Sequence, residues 1–170
     1  MTDEFIREFT SACVQYFEEN TNKITTCFNE LEEAEVWQRP NENSNSAGNL
    51  ILHLCGNITQ YVISALGHFR DERERDKEFS ADGGYSKHQL LNKLTATVDE
   101  AKNIIRNITA EELVKKQQVQ GYFHSGVSII VHVTEHYSYH TGQIIFWTKW
   151  LKNKDLGFYA GTNLNIRNEE

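Results

Sequence analysis

Pro40 is the only proline among 170 residues. That scarcity constrains the fold more than any other single feature. Proline has no amide hydrogen and its ring clashes with the preceding helical turn, so a chain almost without it is free to run in long helices. No long stretch alternates apolar and polar residues in the manner of a half-buried sheet. The expected fold class is therefore all-α. Hydrophobic residues make up 39% and aromatic residues 11% of the chain, which supplies the core of one domain, expected over residues 1–170.

Apolar spacing divides the chain into four long segments. In the first, expected from Asp3 to Glu33, Phe5, Phe9, Cys13, Phe17, Ile24, Phe28 and Leu31 follow three- and four-residue spacing, with a gap at polar Asn20. Pro40 and the run Asn41 to Ser46 then make a turn. The second helix is expected from Ser46 to Arg70, with an inner stripe of Leu50, His53, Leu54, Asn57, Tyr61 and Ala65. It runs out in the charged segment Asp71 to Glu78, which reads as a solvated helix end or loop. Ser86 with Gln89 forms a capping box that starts the third helix, and Leu91, Leu94, Val98, Ala101 and Ile105 carry it to about Asn107. Thr109 with Glu112 predicts a short helical turn, and Lys115 to His124 an irregular connection with a brief strand pair. Ser125 caps the fourth helix, expected to reach Lys152, and a loosely packed tail follows over residues 157–170. Four long amphipathic helices predict a four-helix bundle.

Charge and cysteine usage exclude several classes of function. The net charge is -7, with no basic stripe to neutralise phosphates, so no nucleic-acid partner is expected. No run of about 18 apolar residues is present to span a membrane. Cys13, Cys27 and Cys55 are odd in number and form no CxxC pair, which argues against a disulfide framework and for a reducing cytoplasm. Phe146 and Trp150 lie outside the inner sector of the fourth helix. Such a patch asks for cover, either from a second copy in a homodimer or from the tail after Gly157.

Histidines carry the chemistry. His132, His136 and His140 follow one another at intervals of four. Imidazoles four apart lie one helical turn from each other and can converge on one ion. The inner face of the fourth helix is defined by Ile129, Val133, Ile144, Trp147 and Leu151; His136 and His140 fall within or beside it, and His132 lies at its edge. His53 points inward from the second helix. Buried neutral imidazoles need partners, and a divalent cation satisfies several at once, so the metal reading is preferred to a pair of hydrogen-bonded core histidines. Glu135 precedes His136 and no Glu follows it, so the HExxH arrangement of zinc peptidases is absent. Asn57 either orients a ligand or bonds to backbone. Gly142 reads as a close-packing glycine, and His132 as a supporting candidate at the edge of the site. Cys55 reads as a core thiol, and His68, His88 and His124 as surface or loop residues. No serine or cysteine is visibly paired with a free histidine base, which leaves a metal as the source of activation.

The segments Arg39-Pro40-Asn41 through Ser44-Asn45-Ser46, Leu50 through Asn57, and His136 through Ile144 (HYSYHTGQI) together resemble the DinB/YfiT-like superfamily, for whose members metal-dependent chemistry is proposed. The resemblance spans nearly the whole chain. It implies a four-helix bundle in which His53, His136 and His140 bind a divalent ion, zinc or nickel first, with iron, copper and manganese as alternatives. It also implies a homodimer, and a supporting role at the site for the Gln143 amide. Because the superfamily includes transferases and isomerases that use low-molecular-weight thiols, the expected activity is thiol-dependent transfer on a small-molecule substrate. A metal-dependent hydrolase and a non-catalytic metal or small-molecule binding protein of the same fold stand as alternatives.

Overall fold

The computed structural model describes residues 2–168, so Met1, Glu169 and Glu170 of the expected unit lie outside the described residues. The chain is mostly helical. The helices are α1 (Thr2–Glu30), α2 (Glu33–Val36), α3 (Ala47–Ile58), α4 (Arg75–Ser80), α5 (Lys87–Asn107), α6 (Ala110–Val114) and α7 (Gly126–Lys152). Strands β1 (Lys116–Val119) and β2 (Tyr122–Ser125) form an antiparallel pair before α7, with Val119 opposite Tyr122. Gln120 and Gly121 both have positive φ, 50° and 84°, as a tight two-residue hairpin turn of this hand requires.

Local chemistry explains where the helices begin. Ser46, Ser86, Thr109 and Ser125 each accept a hydrogen bond from the amide three residues on, and the first three complete a capping box with Asn49, Gln89 and Glu112. The long helices then bury one face. On α5 the buried stripe is Leu90, Leu94, Val98, Ala101 and Ile105, so Leu90 rather than Leu91 occupies its first position. α1 packs on α5 and α7, and α3 packs on the same two helices. Phe17, Phe28, Leu54, Ile105, Ile129 and Tyr137 fill the space between them. The Tyr137 hydroxyl is 2.8 Å from the Thr21 hydroxyl, so this buried phenol is satisfied across the α1–α7 contact.

Two expectations need correction. The second long segment is α-helical only to Ile58, continues as a π-helix over Thr59–Ser64, and leaves helical geometry before His68, whose φ is 60°. The segment Asp71 to Glu78 is not simply a solvated end. It leads into α4, which packs against α3, and the side chains of Arg73 and Glu78 are only 3% and 9% exposed. They go inside because each neutralises the other.

The tail beyond Gly157 is irregular. Phe158 packs at the margin of the core, beside Lys23 and Ile145, whereas Tyr159, Leu164 and Ile166 are exposed. Phe146 and Trp150 stay 71% and 65% exposed, so the described residues of the tail do not cover them. Among the described residues no helix is long and apolar enough to cross a membrane.

Candidate metal centre

His53 projects from the middle of α3, and His136 and His140 from successive turns of α7. Packing of the two helices brings the three rings together. His136 Nε2 lies 3.1 Å from His53 Nε2 and 3.3 Å from His140 Nε2. One ligand atom from each of the three falls within 4.8 Å of the other two. His132 is not in this group. Its ring lies on Tyr61, with centroids 4.6 Å apart, and 5.5 Å from the ring of His136.

The far side of each ring is treated differently. His53 Nδ1 lies 3.0 Å from Glu78 Oε2. Arg73 donates to both oxygens of that carboxylate, Nε to Oε1 at 2.7 Å and Nη2 to Oε2 at 2.9 Å. Nη2 also lies 3.2 Å from His53 Nδ1. The ionised Glu78 carboxylate can only accept, so its 3.0 Å contact assigns the Nδ1 proton to His53. Gln60, on the π-helical segment, accepts from Arg73 Nη1 at 2.9 Å and donates to Asp71 at 2.8 Å. His140 Nδ1 faces Gln143 Oε1 at 2.8 Å. His136 Nδ1 is buried with no hydrogen-bond partner.

Electrostatics keep His136 and His140 neutral. Burial, then the neighbouring imidazoles, push His136 down to about 3. Burial lowers His140 as well, against the opposing hydrogen bond to Gln143. Burial alone would raise the Glu78 carboxyl, but hydrogen bonds from Arg73 and His53 outweigh it and hold Glu78 below the usual carboxylate range. With Nδ1 of His53 and His140 donating outward, their Nε2 lone pairs point inward at His136 Nε2. One proton on that nitrogen can bridge to only one of them. A divalent cation would satisfy all three, so the donor set fits a metal, and neutral imidazoles suit zinc, nickel, iron or copper.

The remaining residues singled out in the sequence fall in different places. Asn57 is buried, and its Oδ1 has no hydrogen-bond partner among the described residues. Gln143 is exposed and supports His140 as the resemblance implies. Gly142 is not a close-packing glycine, because a Cβ there would meet nothing within 4 Å. It lines an open cavity of about 690 Å³ walled by Asn43, Asn45, Tyr139, Phe146, Trp147 and Trp150. The imidazoles themselves are not in its wall. The cavity borders the cluster through Gln143 and through Tyr139, whose ring centroid is 5.0 Å from that of His140. Among the described residues no charged side chain lines it.

Cys13, Cys27 and Cys55 are all free and buried. Burial raises each thiol, Cys27 and Cys55 to about 11. His68 and His88 are exposed and His124 is half-buried on β2. His124 Nδ1 does lie 3.3 Å from Ser128 Oγ, which corrects the expectation that no serine is paired with a histidine. Among the described residues no carboxylate hydrogen-bonds that imidazole, so nothing orients it as a base. Sequence periodicity missed Arg73 and Glu78, because a run of alternating charges looks the same whether or not two of its members turn inward. The one signal was Gly56, a glycine inside a buried apolar helix, which marks close approach of another group.

The chain has the fold of DinB-like proteins. Solved structures that share the fold include the DinB-like protein YjoA of Bacillus subtilis, 14% identical, with a TM-score of 0.64 over 85% of this chain and 94% of that one, and a DinB-like protein of Bacillus cereus ATCC 10987, 14% identical, with a TM-score of 0.66 over 83% and 91%. The family described as "Protein of unknown function (DUF1572)" matches residues 4–160, and the chain belongs to that family. No curated protein matches.

Proposed function

We propose that the chain is a metal-dependent enzyme built on a four-helix bundle, with His53, His136 and His140 as ligands to one divalent ion, and that it transfers a group to or from a small thiol. The observation that carries this reading is the convergence of three Nε2 atoms, with separations of 3.1 and 3.3 Å at His136. When bound, a divalent cation on three neutral ligands supplies a full positive charge that stabilises a thiolate near pH 7. The residues of the chain do the rest. Glu78 and Gln143 hold His53 and His140 in the tautomer that presents Nε2. The chain's own thiols are buried and held protonated, so the nucleophile comes from outside. The uncharged cavity beside Gln143 and Tyr139 suits a small organic substrate of low charge. Zinc and nickel are the leading ions.

We further place the protein in a reducing cytoplasm, where three free cysteines persist, and read Phe146 and Trp150 as part of a homodimer face. A monomer by light scattering at micromolar concentration would remove the dimer. The test of function is to incubate metal-loaded protein with a panel of cellular thiols and electrophiles beside a His140→Ala control. Thiol consumption that depends on His140 supports transfer; equal consumption by both leaves a binding protein.

A further inference from the structure

We propose that Glu78, clamped by Arg73, is a positioning residue for the three-histidine centre, and that Gly56 is the gap through which its carboxylate reaches His53. The inference rests on the metal-binding reading above and adds residues outside the ligand set. Glu78 comes from α4, 25 positions along the chain from His53. By accepting the Nδ1 proton it leaves the Nε2 lone pair of His53 directed at His136 and His140. A lone buried carboxylate would also draw down the positive charge of the centre. Arg73 removes that effect by bonding both carboxylate oxygens, at 2.7 and 2.9 Å, so the ring is oriented with no net charge added behind it.

Stability alone does not account for this arrangement. Arg73 and Glu78 side chains are 3% and 9% exposed, and a buried ion pair commonly stabilises a fold no better than apolar side chains of the same volume. Gly56 points the same way. It sits inside α3, where glycine weakens a helix, and its φ is not positive, so the backbone does not require it. Space does: a Cβ at this position would overlap Glu78 Oε1 and come within 2.9 Å of Arg73 Nε. A side chain at 56 forces the carboxylate to shift from the position in which it meets His53.

Zinc affinity, measured by competition with a chromophoric chelator, tests the assignment in wild type, Gly56→Ala, Glu78→Ala and Glu78→Gln, each checked for native helicity. Binding should weaken about ten- to hundredfold in Gly56→Ala and Glu78→Ala. Glu78→Gln keeps an acceptor and should lose less. Imidazole nitrogen NMR of wild type needs no variant: His53 should be protonated at Nδ1 and bare at Nε2, and should take zinc at Nε2. Folded variants that bind zinc like wild type, or a His53 protonated at Nε2 in the metal-free protein, would overturn the inference. Wild type that takes up no zinc overturns the three-histidine reading itself, whereas wild-type uptake with unaffected variants overturns only the role of Glu78.

Discussion

The two flanks of the centre are built on different principles. On the α3 side, His53 is held by Glu78, Arg73 and Gln60, a chain of hydrogen bonds assembled from a helix, a π-helical segment and a short helix beyond it. The ionic pair at its centre is buried. On the α7 side, His140 is held by the exposed amide of Gln143 one turn along the same helix, and His136 Nδ1 has no partner among the described residues. The first support is long-range, charged and dry; the second is local, neutral and wet. A buried charged network is costly to break because each surviving partner is left uncompensated, whereas an exposed amide is readily replaced by water. One side of the site is thus fixed, and the other has freedom to adjust and opens toward the cavity.

The largest effect is expected where the flanks meet. His53→Ala, His136→Ala or His140→Ala should each abolish the rise in melting temperature produced by zinc, while wild type keeps it. A variant that retains the full rise would show that its histidine is not a ligand. Next, urea unfolding of the metal-free protein should separate the two supports. Glu78→Ala should cost about 3 to 5 kcal/mol by stranding buried Arg73, and Gln143→Ala about 1 kcal/mol or less. Equal costs would erase the contrast between the flanks.

Acid should sharpen the contrast further. His136 is held near 3 in the folded chain, below the ordinary imidazole value of about 6.5. Between those values the unfolded chain binds a proton that the folded chain refuses. The stability contribution is therefore complete above about pH 6.5 and is lost as pH falls toward 3. Glu78, also lowered, acts in the same direction at the acid end. In metal-free protein, His136→Phe should flatten the fall in unfolding free energy between pH 6.5 and 4. An unchanged slope would assign the acid sensitivity elsewhere. The smallest effect belongs to His132→Ala, because that ring rests on Tyr61 outside the cluster. Its zinc affinity should match wild type within error.

Much of this molecule was legible in the order of its residues. Near-absence of proline and apolar spacing of three and four set the long helices, and Ser46, Ser86 and Ser125 marked the starts of three of them through short-range capping chemistry. The inward azimuths of His53, His136 and His140 followed from helical geometry alone, because periodicity says which face of a helix a residue occupies. Periodicity is silent on what lies opposite that face. It could not show that Glu78 and Arg73 turn inward from a charged run, that the second helix loosens into a π-helix at Thr59, or that Gly142 opens on a cavity instead of a packed neighbour. Those features depend on contacts between residues distant in sequence. A charge enters the interior only when its partner arrives from elsewhere, and that meeting is decided by tertiary structure.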